Sequence, residues 1–209
     1  LKNLDAEFTL AEIENAVLLG LKFVAITAKA GDNVYRIFES INNTGVALSQ
    51  ADLIRNLVFM KLGSDSQRVH DTVWKAIQNR LEPEDIENLF WFEAQWRNPL
   101  VRKLDIYEEQ KGYIAKFSVE QLIDYLKNAV VIADAIRLAR GITNDQHIGV
   151  NLHLSRLRKL DYPGMLVLVA RIMYLRKLEI ITAEDACEAL LVLESYMIRR
   201  VLLLVPVSS

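Results

Sequence analysis

Cysteine is almost missing from this sequence of 209 residues, with Cys187 the single example. That scarcity excludes an internal disulfide and a zinc site built on paired cysteines, and it fits a reducing compartment, so the cytoplasm is the expected location. Proline and glycine are scarce as well, at 4 and 8 residues, and no Pro/Gly/Ser-rich linker, low-complexity tract or internal repeat interrupts the chain. Charge of one sign is lacking too. With 25 basic and 27 acidic residues the net charge is -2, so the chain as a whole carries no nucleic-acid signature and any DNA contact would have to come from a local patch. No apolar run reaches the roughly 20 residues that a bilayer-spanning helix needs; the greasiest stretches are cut by Arg171 and Arg200, and no membrane partner is expected.

The familiar catalytic signatures are equally absent. There is no Gly-rich phosphate loop ending in Gly-Lys, no nucleophile elbow and no HExxH, so no catalytic residue is assigned. His147 and His153 are six residues apart, about 120° around a helix, and do not converge on one metal ion. They read as surface or packing histidines, as does His70. Glu82, Glu84, Asp85 and Glu87 crowd a first helical turn, where carboxylates complement the helix dipole. Phe90, Trp91, Phe92 and Trp96 form an aromatic cluster that reads as core packing, with base stacking the competing use. Arg156, Arg158, Lys159, Arg176, Lys177, Arg199 and Arg200 gather late in the chain but are nearly balanced by acids there, and a solvated face is the simpler reading than a DNA groove. Cys187 reads as a small buried filler on a helix.

What the sequence has in abundance is helical periodicity. An apolar share of 52% supplies a core without staples, and the expected fold is mainly α, a bundle of eight to nine helices with one short strand near the N-terminus. Thr9 with Glu12 has the spacing of a capping box, and Gly20 is the expected stop. Residues 21–27 are rich in β-branched and aromatic side chains and are assigned to the strand, which would need partners from elsewhere in a truncated α/β domain. Val34, Ile37, Phe38 and Ile41 make one apolar helix face behind Asp32. Further helices are expected over residues 67–81, 83–95, 105–116, 118–140, 145–160, 163–177 and 182–204. Pro83 and Pro163 suit first helical positions, Ser118 with Gln121 and Thr182 with Asp185 suit capping boxes, and Gly141 is a stop. The least apolar connection, 96–103, is the expected boundary between a domain at 1–96 and a helical region at 97–209.

The richest stretch is 37–56, IFESINNTGVALSQADLIRN, two apolar helices around a turn with many side-chain donors and acceptors. Gly45 suits a positive φ, Asn42 and Asn43 suit a helix end, and Ser49 with Asp52 suits a cap. Phe38, Glu39, Asn42, Gly45, Leu48, Asp52, Leu53 and Asn56, at the spacing FExxNxxGxxLxxxDLxxN, resemble the signature of domain-of-unknown-function family 262, the GmrS-like domain of GmrSD-type restriction proteins. The later LESYMIRR, from Leu193 to Arg200, is similar to the helix that precedes a C-terminal HNH nuclease domain in many such proteins. The resemblance implies a ParB/sulfiredoxin-like fold and a role in bacterial defence against phage, by cutting modified DNA under nucleotide control. It makes Asn42, Gly45 and Asp52, with Glu39 and Asn43, candidates for lining a nucleotide pocket. Their simpler duties as turn and cap residues compete with that role.

The resemblance further implies that the Asp-Gly-Gln-Gln-Arg motif lies upstream of Leu1 and the nuclease residues beyond Ser209. A start without methionine and an apolar end fit a central fragment. The expectation is therefore a helical portion that is not catalytic alone and holds no cofactor itself, with a nucleoside triphosphate bound by the parent protein. Its partners would be the missing domains of the same protein, DNA through the parent, and a second copy. The alternative is a helical interaction module with no enzymatic role, which would use the apolar tail at 202–207.

Overall fold

The computed structural model describes residues 9–20, 48–160 and 163–203, and the chain divides into two compact units, Leu1–Ile41 and Asn42–Ser209. The fold is mainly α, and no strand occurs among the described residues. The stretch assigned to a strand, 21–27, lies outside them, as does the helix behind Asp32.

Of the first unit the structure describes one helix, α1 (Leu10–Asn15), widening into a π turn over Ala16–Gly20. It opens with the reciprocal bonds expected of Thr9 and Glu12. The Thr9 N–H donates to the Glu12 carboxylate at 2.9 Å, and the Glu12 N–H donates to the Thr9 hydroxyl at 3.3 Å.

The second unit starts at α2 (Gln50–Leu62), whose Ala51, Ile54, Val58 and Leu62 form one buried line. It contains both sides of the connection 96–103. Residues 66–78 form α3, in which a π turn, His70–Trp74, separates two short α segments and both Val73 and Trp74 are buried. Next come α4 (Pro83–Arg97), with Pro83 at its first turn, and α5 (Ile106–Ile114). The longest helix is α6, Val119–Arg140, opened by the Ser118–Gln121 capping box. It is followed by α7 (Ile148–Lys159), α8 (Leu166–Lys177, after a 3-10 turn at Pro163–Met165) and α9 (Ala183–Leu202), the last opened by the Thr182–Asp185 box.

Helix α6 is the spine of this unit, packing most extensively on α8 and also touching α2, α3, α4 and α7. A helix so surrounded must be apolar round much of its circumference, and its buried set mixes Leu122, Leu126, Ile132 and Ile136 with Ala129, Ala133, Ala135 and Ala139. The alanines let neighbouring backbones come close. Its C-terminus closes as a Schellman motif: the Ile142 N–H reaches the Arg137 carbonyl, the Gly141 N–H reaches that of Leu138, and Gly141 sits at φ 74°. After α8 the same closure recurs with Glu179 at φ 56°, the Ile180 N–H donating to the Leu175 carbonyl. No glycine marks that stop, yet the helix ends at Lys177 as expected.

One helix start departs from expectation. The helix expected from Asp145 begins at Ile148, because the Asp145 carboxylate accepts the His147 N–H at 2.8 Å in a turn ahead of the helix. Asn151 holds that turn from both sides, accepting the Asp145 N–H at 2.8 Å and donating to its carbonyl at 2.7 Å. No described helix is long and apolar enough to cross a membrane.

Candidate functional site

Of the five residues singled out for a nucleotide pocket, only Asp52 falls among those described; Glu39, Asn42, Asn43 and Gly45 lie outside them. Asp52 turns back on its own helix start. One carboxylate oxygen accepts the Ser49 hydroxyl at 2.7 Å and the Ser49 N–H at 3.3 Å, while the Ser49 hydroxyl oxygen accepts the Asp52 N–H at 3.1 Å. This box satisfies donors that a helix N-terminus leaves open, and losing such a cap costs about 1 kcal/mol.

The helix that carries Asp52 is braced at both ends. The Gln50 side-chain oxygen accepts the Tyr107 N–H at 2.9 Å at the start of α5, and the Lys61 ammonium donates to the Ile114 and Ala115 carbonyls, each at 2.7 Å, at its end. One helix therefore caps both ends of another, with the lysine charge at the negative end of the α5 dipole. That brace gives the C-terminal half of the motif a fixed place on the bundle.

A second polar cluster ties α4, α5 and α6 together. The Glu93 carboxylate takes a two-pronged bond from Arg97, at 2.8 and 3.0 Å, one from the Gln110 amide at 2.7 Å and a longer one from the Tyr125 hydroxyl at 3.3 Å. Gln110, fully buried, also donates to the Phe90 carbonyl and accepts from Tyr125 at 2.9 Å. Arg97 reaches on to Glu109 and lies over the Tyr113 ring, 3.6 Å from its centre. Burial and the neighbouring Glu93 carboxylate push the Tyr125 phenol well above its ordinary 10.0. Burial alone would lower Arg97, but the bond to Glu93, the charge of that carboxylate and the neighbouring Tyr125 and Tyr113 together raise it. With both oxygens engaged, Glu93 has the character of a joint and not of a general base.

The histidines go to different partners. The His153 ring nitrogen lies 2.8 Å from Glu194, a buried carboxylate that Arg156 also approaches at 3.7 Å. Glu194 belongs to the LESYMIRR stretch and thus locks α9 onto α7. His147 faces Cys187, whose sulfur is 3.8 Å away. Cys187 is half-buried against the core; partial burial, with Glu184 and Asp145 nearby, raises its thiol and disfavours the reactive thiolate. Among the described residues no group of three or more His, Cys, Asp or Glu is placed to hold a metal ion. The late basic residues disperse: Arg176 turns to Asp145, Arg199 to the Ser195 carbonyl and Arg200 to the Tyr196 hydroxyl.

A described feature with the shape of a ligand site is a cleft of about 650 Å³ between α4, α6, α7 and α8, a size common for small-molecule pockets. Its floor is apolar, with Phe92, Leu157, Met165 and Val169 buried and Trp91 half-exposed. Its rim carries Glu84, Asn88, Lys103, Arg140 and Arg158. Asp85, from the acidic first turn of α4, is buried and pairs with Arg140 and with the Asn88 amide, so that carboxylate does more than complement a dipole. Phe90 and Phe92 pack in the core as expected, and Trp96 donates its indole N–H to the Val167 carbonyl. In the sequence Trp91 belongs to the aromatic cluster and Arg158 to the late basic residues, and no spacing signal joins residues on α4 and α7.

Compared with family models, curated proteins and solved structures, the chain matches none.

Proposed function

We propose that this chain is the central helical portion of a bacterial modification-dependent restriction protein of the GmrS-like type, which holds one wall of a nucleotide site and couples it to a downstream nuclease domain. The observation that carries the reading is the motif from Phe38 to Asn56. Its described half supports the coupling role. Asp52 opens a helix whose Ile54, Val58 and Leu62 are buried in the bundle and whose Gln50 and Lys61 brace α5, so a displacement at the turn before Ser49 would be passed to the helical unit as a rigid movement. The chain does no chemistry alone in this reading.

The test is Asn42→Ala in the full-length parent protein. Removing a side chain that bonds a bound nucleotide costs ~1–3 kcal/mol, or about 5- to 150-fold in nucleotide turnover, with the melting temperature unchanged. Equal losses of turnover and stability would make Asn42 a helix terminator and remove the support for the site.

A second reading has its own observation. On α9 the solvent face carries Leu191, Val192, Ile198 and Leu202, all at least 47% exposed, and Leu203 follows them at 74%. Such a stripe fits a helix that packs on another copy of this chain without enzymatic purpose. Light scattering on the eluting protein should then give twice the mass of one chain, and Ile198→Glu should return it to a monomer. A monomer from the outset would count against this reading.

A further inference from the structure

We propose that the cleft between α4, α6, α7 and α8 binds a small amphipathic anion, with a flat apolar body against Trp91 and Phe92 and a single carboxylate, phosphate or sulfonate head on Arg158. Three features of the cleft select that chemistry. The floor is apolar and partly aromatic. Phe92 is 2% exposed, while Trp91 is half-buried, has its indole N–H already satisfied by the Val101 carbonyl at 3.1 Å and carries the Lys103 ammonium 6.0 Å from its ring centre, so that the rest of the ring lines the cleft.

The rim holds one uncommitted cation. Arg140 is neutralised by the buried Asp85, and Lys103 leans toward Glu87 at 3.6 Å, whereas Arg158 makes no hydrogen bond or ion pair with any described residue. Five guanidinium donors are thus available to an anion, in a planar fork suited to two-pronged recognition. The third feature is the seat on which that fork rests. The guanidinium lies against Gly141, where an added Cβ would fall 2.6 Å from its central carbon and 2.8 Å from two of its nitrogens. Gly141 therefore both closes α6 in the left-handed conformation and makes room for a flat cation beside the cleft. Glu84 on the same lining disfavours ligands with a second negative group. None of the described residues of the 37–56 stretch, 48–56, lines this cleft, and its test reads ligand binding and not nucleotide turnover.

The three tryptophan indole signals in a nitrogen–proton correlation spectrum of the whole chain provide a direct test, with Trp91 assigned by Trp91→Phe. Titration with 1-naphthaleneacetate should move the Trp91 signal saturably and leave that of Trp74, enclosed by Phe59 and Phe90, in place. Arg158→Gln should weaken the apparent affinity about tenfold or more while the melting temperature stays within a few degrees. The uncharged 1-naphthalenemethanol should bind wild type about tenfold more weakly than the acid, a comparison that needs no variant. An unmoved Trp91 signal, equal affinity in Arg158→Gln, equal affinity for the alcohol, or tighter binding of decanoate than of the flat acid would each overturn the proposal.

Discussion

Glu93→Ala lowers the stability of the helical unit by about 3–5 kcal/mol, the range found when one partner of a buried charge pair is removed. Glu93 is 8% exposed, and three side chains from three helices converge on it. Its deletion leaves Arg97 with Glu109 alone and leaves one Gln110 donor bond unmade inside the protein, while Tyr125 keeps its shorter bond to the Gln110 oxygen. Each orphaned polar group adds its own desolvation cost. At ~2–4 °C per kcal/mol for a domain of this size, the melting temperature should fall by roughly 6–20 °C, read by circular dichroism alongside urea denaturation. Glu93→Gln, which keeps an acceptor in place, should lose distinctly less.

The same joint sets an alkaline limit. A phenol whose folded value is raised contributes stability that is fully present below its unfolded value, near 10.0, and is lost as pH climbs through the folded one. Wild type should therefore lose stability above pH 10, and Glu93→Ala, lacking the carboxylate that helps raise Tyr125, should do so less steeply. A loss below 1 kcal/mol with an unchanged alkaline slope would show that the cluster is not a joint.

Phe90→Ala should cost a comparable 3–5 kcal/mol or so, through lost apolar transfer plus the cavity left behind. Phe90 is fully buried and stacks on Trp74 at 6.1 Å between ring centres, and Trp74 in turn meets Phe59 edge-on at 5.5 Å. The ring thus joins α4 to α3 and, through Trp74, to α2. Helices held this way cannot easily close over a ring-sized void, which puts the expected loss at the upper part of the range. Urea unfolding followed by tryptophan emission measures it, since Trp74 reports on the vacated contact. Phe90→Leu, which refills most of the space, should recover a large part of the loss. Identical behaviour of the two variants would mean that the ring does not bridge these helices.

Much of the architecture was legible because its signals are local. A capping box needs only two residues three positions apart, and the boxes at Thr9, Ser49, Ser118 and Thr182 all form as their spacing indicates. Gly141 likewise marks its own helix end. Where local rules failed, a nearby competitor had taken the residue. Asp145 was drawn into a turn by His147 and Asn151. The candidate site was less legible still: of the motif's polar residues, the structure describes Asp52 as a cap partner and leaves the turn itself undescribed.

The sequence by itself determined the helices of this protein, their caps and their apolar faces, because those depend on periodicity and on bonds spanning three or four residues. Only the tertiary structure decided which charged and polar groups would be spent inside. Glu93 meets Gln110 across 17 residues and Tyr125 across 32, while Lys61 reaches Ile114 across 53. Such partners are chosen by how α2, α4, α5 and α6 pack, not by anything written beside them. The same holds for Arg158, whose freedom and seat on Gly141 exist only because α7 crosses the end of α6.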